Sequence, residues 1–465
     1  MAVINDTIAA IATPLGEGGI GIVRISGPEA VSIGDQMFAA KRGDTLAELG
    51  TYKVRYGRVL EPETNRQLDE ALALVMLAPH SYTGEDVVEI QCHGGVVVIR
   101  EILDLALRLG ARLAEPGEFT KRAFLNGRLD LSQAEAVMDI IQSQTRLGLE
   151  VAVDQLEGSL SRRIVSLSEH LFDIVVRVEA SIDFPEDDLP EILPDEIDDV
   201  IVQSLEELDE LLATADEGKM LREGLRTVIT GRPNVGKSTL LNKLLDENRA
   251  LVTDIPGTTR DAIEETINLR GIPLRLVDTA GIRETGDVVE RLGVERSLEL
   301  LDQADLVLHV LDRSVPLSED DLALLQRTEG RRRLILINKA DLPPVWDAAE
   351  LGELSESPVL ETSLVTEDRQ VVDELAEAIL ACIGSGRTVS AVGSRAMLTR
   401  ARHKQAVQNA QASLRQALET VRQGLPLDLI AVDLYAALEF LGEITGETVR
   451  ENVLDRIFAQ FCIGK

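Results

Sequence analysis

The segment from Gly231 to Ser238 reads Gly-Arg-Pro-Asn-Val-Gly-Lys-Ser and constrains the fold more than any other part of the chain. Two glycines with four residues between them, followed by Lys-Ser, form a phosphate-loop pattern. Leu225 to Thr230 before it is apolar and β-branched enough for a buried strand, and Thr239 to Leu245 after it carries leucines at helical spacing. This order of strand, glycine loop and helix favours a nucleotide site over a simple glycine turn.

The chemistry of such a loop predicts a role for its side chains. Its backbone N–H groups would face a polyphosphate, the Lys237 ammonium would reach the β and γ oxygens, and the Ser238 hydroxyl would take one Mg²⁺ position. The predicted nucleotide-binding residues of the loop are Asn234, Val235, Gly236, Lys237, Ser238 and Thr239.

Composition narrows the class of protein. The 465 residues suffice for two to four domains, and 45% hydrophobic with 27% charged residues indicates a globular chain. No apolar run reaches the ~18 residues that a membrane-spanning helix needs, and the N-terminus has no signal-peptide pattern. The three cysteines, Cys92, Cys382 and Cys462, lie far apart, which favours a reducing cytoplasm over a disulfide framework or a zinc site. We expect a cytoplasmic protein without a membrane span.

The formal net charge of −33 argues against an extended nucleic-acid surface, because neutralising phosphates requires clustered Lys and Arg. Acidic residues crowd the segment 183–217, which contains no Lys, Arg or His. A solvated helix face explains this segment better than a binding site does. A local basic site elsewhere in the chain stays compatible with the charge.

The alternation of strand-like, helical and glycine-rich segments predicts a multidomain chain of α/β and α parts. The predicted segments are 1–120, an α+β domain; 121–217, helices; 218–384, a doubly wound α/β nucleotide domain; and 385–465, helices. Because both helical blocks are amphipathic and flank the nucleotide domain, we expect them to pack together as one discontinuous helical domain. Ser132, with Glu135 three residues later, predicts a helix N-cap with a capping box.

Two polar segments that follow apolar strands predict guanine-nucleotide recognition. Asp278 to Gly281 can hold Mg²⁺ through water and meet the γ-phosphate. In Asn338 to Asp341, a buried Asp341 carboxylate would accept from two guanine donors that adenine lacks, the Lys339 stem can cover the base, and Asn338 can bridge loops. Alone, the second segment reads equally well as a polar turn, but its place after the phosphate loop indicates GTP.

A third segment, Glu361-Thr362-Ser363, ends a further short strand. GTPases usually have Ser-Ala near this point, where a backbone N–H meets guanine O6, and this chain has Thr362-Ser363. The predicted nucleotide contacts beyond the phosphate loop are therefore Asp278, Thr279, Ala280, Gly281, Asn338, Lys339, Asp341, Thr362 and Ser363.

Catalysis requires groups that the phosphate loop does not supply. The loop between helix and strand consists of Thr253, Asp254, Ile255, Pro256, Gly257, Thr258 and Thr259. Thr259 is the candidate for a second hydroxyl on Mg²⁺, although the loop also reads as a plain turn. Ile282 stands where many small GTPases carry a water-orienting Gln, and an isoleucine cannot orient water. Glu290 could supply the carboxylate, but the dipole of a helix start also favours an ordinary solvent-facing acid there.

These residues together resemble the tRNA-modification GTPase MnmE (TrmE) family over nearly the whole chain. The resemblance is carried by Gly19 to Gly27, Tyr82 to Asp86, Pro116 to Thr120, Arg122 to Asn126, Leu129 to Leu131, the GTPase motifs and the terminal Cys462-Ile463-Gly464-Lys465. It implies a homodimer joined through the N-terminal domains, with a one-carbon donor of the 5-formyl-tetrahydrofolate type bound there. Arg24, Glu89, Arg128 and Lys465 match the family's folate-contacting positions; each also reads as an ordinary surface or structural charge.

The resemblance also implies a K⁺-activated GTPase. The K⁺ ligands it implies are the side chain of Asn234 and oxygens of Thr253, Ile255 and Thr258. Glu290 matches the family's water-positioning acid, Lys237 would assist at the phosphates, and hydrolysis would require two GTPase domains to meet. Cys462 matches a functionally implicated cysteine, with a buried helix-end thiol as an equal alternative.

The family acts with the flavoprotein MnmG (GidA), in a heterotetramer, to add an aminomethyl or carboxymethylaminomethyl group to C5 of the wobble uridine of certain tRNAs. Two other functions stay open at this point. One is a GTPase switch in ribosome assembly without one-carbon chemistry, and the other is a folate-dependent, methyltransferase-like enzyme with a regulatory GTPase domain.

Overall fold

The computed structural model describes residues 5–183, 193–248, 265–277, 300–352, 357–366, 369–384 and 396–464. These residues divide into two compact units. The first lies within 1–138, 164–168 and 438–465, and the second within 139–163 and 169–437. The four-segment division expected from the sequence stays a prediction.

The first unit is built on a seven-stranded sheet of order β3-β4-β5-β6-β2-β1-β7. Its strands are β1 (Ile8–Ile11), β2 (Gly18–Ser26), β3 (Phe38–Ala40), β4 (Lys53–Leu60), β5 (Gln67–Met76), β6 (Val87–Gly94) and β7 (Arg112–Leu113). Neighbouring strands are antiparallel except β1 and β7. One sheet face carries alternating small and branched side chains, such as Ala71, Ala73 and Val75, and packs on α1 (Ala30–Met37) and α2 (Val96–Arg108).

Helix α3 (Glu118–Leu125) and helix α4 (Leu131–Gln142) follow the sheet. The N-cap prediction at Ser132 is wrong, because α4 starts at Leu131, two residues earlier than that cap requires, and Asp130 makes the capping bonds. The Asp130 carboxylate accepts from the Gln133 N–H at 3.0 Å, and the Gln133 side chain accepts from the Asp130 N–H at 3.0 Å. This reciprocal pair is a capping box shifted by two residues from the predicted one.

The remaining helices before the nucleotide domain are α5 (Arg146–Leu156), α6 (Ser159–Asp183), α7 (Pro194–Leu212) and α8 (Ala215–Glu223). After that domain come α13 (Ala401–Arg422), α14 (Leu427–Thr445) and α15 (Glu451–Phe458). Within the second unit, α13 packs along α7, where Arg422 pairs with Asp198 and Gln411 donates to Asp209 at 2.6 Å. Helices from both sides of the nucleotide domain are therefore in contact.

The nucleotide domain is a six-stranded sheet of order β13-β12-β11-β8-β10-β9. Its strands are β8 (Leu225–Thr230), β9 (Glu265–Leu269), β10 (Ile272–Leu276), β11 (Leu306–Asp312), β12 (Arg333–Asn338) and β13 (Val359–Glu361). All neighbours are parallel except β9 and β10. Its helices are α9 (Lys237–Asn248), α10 (Glu319–Arg327), α11 (Ala349–Gly352) and α12 (Arg369–Cys382).

The central strand β11 is buried along its whole length, as a parallel strand covered on both faces must be. Leu306, Leu308 and Val310 face the core shared with α9 and α12, whereas Leu311 belongs to the opposite core with Leu325 of α10. Because the carboxyl ends of parallel strands meet at one edge, β8, β11 and β12 deliver their following residues to the same place. No helix in the described ranges is both long and apolar enough to cross a membrane.

His309 is the polar exception in β11. It is fully buried, and among the described residues neither ring nitrogen has a hydrogen-bond partner. Burial, with a smaller contribution from Arg333, lowers the pKa of His309 to about 4. The ring is therefore neutral at physiological pH.

We expect this histidine to make the fold sensitive to acid. The pKa of His309 is near 6.5 in the unfolded chain and about 4 in the folded chain, so between these pH values only the unfolded chain binds a proton at this histidine. The contribution of neutral His309 to stability is therefore complete above pH 6.5 and is lost as the pH falls from 6.5 to 4. The loss at the acid end is about 3 kcal/mol by the linkage of pKa to stability. Denaturation of the wild type and of His309→Leu from pH 7.5 to 4.5 checks this: an equal acid loss in both proteins would contradict it.

Candidate functional site

The phosphate loop lies between β8 and α9, and its glycines are required by close contacts. Gly231 and Gly236 have φ of 139° and 111°. A Cβ on Gly231 would lie 2.3 Å from the Val310 oxygen, and one on Gly236 would lie 2.2 Å from Asn338 Nδ2. The loop is therefore pressed against β11 and the residue that ends β12.

Lys237 begins helix α9 and turns its ammonium into the loop. Nζ donates to the carbonyl oxygens of Gly231 at 2.8 Å and Arg232 at 2.7 Å, and burial lowers the pKa of Lys237. Ser238 and Thr239 lie exposed in the first turn of α9, and Asn234 is exposed in the loop at φ 66°. The Lys237 ammonium, the Ser238 and Thr239 hydroxyls and the start of α9 thus belong to one short glycine-containing segment, which suits a polyphosphate.

Asn338 joins the phosphate loop to the segment after β13. Its Nδ2 donates to the Val235 oxygen at 2.7 Å, and its Oδ1 accepts from the Leu364 N–H at 3.0 Å. The side chain is almost completely buried, so both contacts are shielded from water. This clamp fixes the spacing between the phosphate-binding loop and the two segments proposed to recognise the base.

Asp341 and Lys339 are each held by a second side chain. Ser363 Oγ donates to Asp341 Oδ1 at 2.6 Å, and Lys339 Nζ lies 2.5 Å from Asp312 Oδ2. Asp341 is exposed, unlike the buried carboxylate that the sequence interpretation invoked to reject adenine. The Thr362 N–H donates to the Ile337 oxygen at 2.8 Å, so this backbone N–H is already engaged within the sheet.

Two residues of this site were missed by sequence reasoning. Leu364 contributes a backbone N–H, for which no side-chain pattern exists. Asp312 carries a signal that was available, since it is a carboxylate ending an apolar strand beside the phosphate loop. Several predicted residues lie outside the described ranges: Thr253, Asp254, Ile255, Pro256, Gly257, Thr258, Thr259, Asp278, Thr279, Ala280, Gly281, Ile282, Glu290 and Lys465.

The first unit brings three of the remaining predicted residues together around Tyr82. Arg24 and Glu89 are cross-strand partners on β2 and β6, with Arg24 Nε donating to Glu89 Oε1 at 2.8 Å. The Arg24 guanidinium lies 5.7 Å from the centre of the Tyr82 ring, and that of Arg128 lies 5.1 Å from it. Burial raises the pKa of Tyr82, so its ring stays neutral between the two cations.

The C-terminal residues of the chain lie in the same unit. Arg24 Nη1 donates to the Gly464 oxygen at 3.3 Å, and the Gly117 N–H donates to the Cys462 oxygen at 3.3 Å. A Cβ on Gly464 would lie 2.2 Å from the Ile11 oxygen, so only glycine fits there. Cys462 is exposed, which contradicts the alternative of a buried helix-end thiol.

Two family models match the chain. The model described as GTP-binding protein TrmE N-terminus matches residues 7–128, and the MnmE helical domain model matches residues 131–462.

Relatives match over the full length. The tRNA modification GTPase MnmE of Alkaliphilus metalliredigens is 49% identical over 466 residues, covering 99% of this chain and 100% of that protein. The proteins of the same name from Bacillus subtilis and Geobacillus kaustophilus are 48% and 50% identical, each over 99% of this chain and 100% and 99% of their own length. A solved G domain of the T. maritima FeoB iron transporter covers 34% of this chain and 98% of that chain at 28% identity, but its TM-score of 0.26 is too low to bear on the fold.

The matches extend across both flanks of the nucleotide domain, and the two described sheets agree with the expected α+β and doubly wound parts. The predicted fold class, with its N-terminal, helical and GTPase domains, is confirmed, and so is the predicted enzyme class, a GTP hydrolase. The chain belongs to the tRNA modification GTPase MnmE family.

Proposed function

We propose that this chain is a K⁺-activated GTPase that acts with the flavoprotein MnmG (GidA) on certain tRNAs. Together they add an aminomethyl or carboxymethylaminomethyl group to C5 of the wobble uridine, using a one-carbon unit from a tetrahydrofolate. The observation that carries the nucleotide part is the Asn338 clamp between Val235 and Leu364, because it couples phosphate binding to base recognition in one rigid unit.

On the nucleotide side, each described residue has a distinct task. The Lys237 ammonium exchanges its two carbonyl partners for phosphate oxygens, and its burial strengthens that attraction. Ser238 and Thr259 would hold Mg²⁺, which neutralises charge on the transferred phosphate when bound. Asp341 selects guanine, and Asp278 to Gly281 would contact the metal shell and γ-phosphate.

K⁺ at this loop is what the resemblance to the MnmE family implies. Asn234 is exposed in the phosphate loop, and its uncharged amide oxygen can serve as one ligand of a monovalent cation. Thr253, Ile255 and Thr258 would complete the ligand set. A cation at this position supplies the charge that an arginine finger gives other GTPases, and Glu290 would orient the water in place of Ile282.

On the folate side, Arg24, Arg128 and Glu89 fit a planar ligand that is anionic at one end and rich in donors at the other. Two guanidiniums can hold carboxylates, and Glu89 can accept from ring N–H groups. Lys465 would add a further cation at the chain terminus, beside Gly464. The exposed Cys462 is proposed as a functional thiol of the same region.

A homodimer through the first unit is supported by an exposed apolar strip on the sheet face opposite α1 and α2. Val54 pairs with Leu74 and Tyr56 pairs with Leu72 across β4 and β5, and Val54, Tyr56 and Leu72 are all exposed. Monomeric proteins seldom leave such a strip open to water. Dimer formation would also let two nucleotide domains meet, and the net charge of −33 suits a partner that supplies most of the tRNA-binding surface.

The test compares GTP turnover in K⁺ and in Na⁺ for the wild type, Glu290→Ala and the control Glu284→Ala. We expect turnover to fall on the order of 10²-fold or more in Na⁺ and in Glu290→Ala, because positioning and charge neutralisation supply most of phosphoryl-transfer catalysis. Glu284→Ala should stay close to the wild type. Equal rates in the two salts, or an active Glu290→Ala, would refute the catalytic proposal, and slow salt-independent hydrolysis would favour the ribosome-assembly switch.

A further inference from the structure

Asp312 ends the central strand β11 at the edge where the nucleotide site lies. It stands opposite Asn338 in the register of β11 and β12, and the Arg313 N–H donates to the Asn338 oxygen at 3.1 Å. The side chain is only 6% exposed. A nearly buried carboxylate at this edge is costly unless its charge is compensated.

Both carboxylate oxygens of Asp312 are occupied. Oδ2 lies 2.5 Å from Lys339 Nζ, while Oδ1 accepts from the Ser314 N–H at 2.8 Å and from Ser314 Oγ at 2.6 Å. Burial alone raises the pKa of Asp312, but the hydrogen bonds from Lys339 and Ser314 outweigh it, so the pKa lies below the usual value. Asp312 is therefore a fixed anion at physiological pH.

Lys339 is consequently held at both ends. Its backbone has φ 64°, a conformation that a lysine seldom adopts, and its neighbours are tied down because the Ala340 N–H donates to Thr362 and Asn338 is clamped. Its ammonium is anchored on Asp312, so the four methylene groups between the two ends lose most of their rotational freedom before any ligand arrives. A long side chain immobilised in this way avoids an ordering cost on binding, which corresponds to roughly 2- to 10-fold in affinity.

We propose that Asp312 is a positioning residue that holds the Lys339 side chain in place as the wall for the guanine ring. Asp341 recognises the edge of the base, and Asp312 acts on its face through Lys339. Removing the anchor lowers affinity for guanine nucleotides without changing the preference for guanine over adenine. The inference rests on guanine-nucleotide binding by this chain, which GDP binding by the wild type tests separately from the effect of the Asp312 variants.

The test is a double-mutant cycle on fluorescent GDP binding by the full-length chain, with Asp312→Asn, Lys339→Met and the double variant. We expect each single variant to bind GDP roughly 10-fold more weakly and the double variant to match Lys339→Met, because Asp312 acts only through that lysine. Additive losses, or wild-type affinity in Asp312→Asn, would overturn the proposal.

Two matched variants separate positioning from local folding. Ser314→Ala removes a donor to the same carboxylate but leaves the ion pair, so GDP affinity should stay near the wild-type value. A loss equal to that of Asp312→Asn would mean that Asp312 only closes its own turn, and would overturn the proposal. If Asp312→Asn does not fold, Asp312→Glu replaces it, because this variant keeps the charge and moves the carboxylate by only one methylene. Asp312→Glu should lose less GDP affinity, and this loss should vanish when Lys339 is also replaced by Met. A loss of GDP affinity that persists in the Lys339→Met background refutes the proposal.

Discussion

Asn in place of Asp341 should lower the affinity for GDP and GTP on the order of 10³-fold, the largest effect expected from any single substitution in this chain. A carboxylate can accept from guanine N1–H and from the 2-amino group at once. The Asn amide has only one acceptor oxygen, and its NH₂ group would face one of these two guanine donors without forming a hydrogen bond. Sites built around such hydrogen bonds discriminate strongly because, once the bound base covers the site, the group that has lost its partner is left unpaired. Competition against fluorescent GDP measures the change.

Binding of xanthosine diphosphate provides the positive control for Asp341→Asn. Xanthine carries a carbonyl oxygen where guanine carries the 2-amino group, so the amide of Asp341→Asn should bind xanthosine diphosphate more tightly than the wild type does. Ser363→Ala removes only the 2.6 Å bond that orients Asp341, which should cost about 1 kcal/mol of GDP affinity. Unchanged GDP affinity in Asp341→Asn, or no gain for xanthosine diphosphate, would show that another group reads the base.

The sequence predicted the nucleotide site well wherever the relevant residues are neighbours along the chain. The phosphate loop needs a strand, two glycines and a helix within some twenty residues, and each of these leaves a local pattern. The same holds for Asn338 to Asp341, since a polar segment directly after an apolar strand must lie at the edge of a parallel sheet.

Contacts between distant residues could not be predicted in this way. Arg24 and Gly464 are 440 positions apart, and only the resemblance to a family placed Arg24 in one site with Lys465, the residue after Gly464. Asp312 and Lys339 meet because two parallel strands end in register, which requires the strand order. The capping error at Ser132 has a different origin: Asp130 and Ser132 both suit an N-cap, and the start of α4 in the folded chain decided between them.

Met in place of Arg122 should have the largest effect on stability. This arginine is 1% exposed on α3, and its guanidinium contacts three acids: Asp6 at 2.7 Å, Glu118 at 2.9 Å and Glu85 at 3.1 Å. Burial alone would raise the pKa of Glu118, but hydrogen bonds from Arg112, the Glu115 N–H and Arg122, together with the charge of Arg122, hold it below its usual value. Without Arg122, the largely buried Glu118 and Glu85 carboxylates lose the cation that they share, and such a loss typically costs about 3–5 kcal/mol, roughly a few hundred-fold to a few thousand-fold in equilibrium.

Hydrogen exchange is the suitable measurement, because a chain of two compact units need not unfold in one step. Amides of β2 and β6 should lose about 10²-fold or more of their protection in Arg122→Met, while those of β11 and β12 keep theirs. Arg112→Met is the matched control, since Arg112 contacts Asp6 and Glu118 but is 44% exposed, and water screens most of its contribution to about 1 kcal/mol or less. If the two variants lost equal protection, burial of the ion network would not be what stabilises the first unit. A uniform loss across both sheets would instead mean that the two units unfold together.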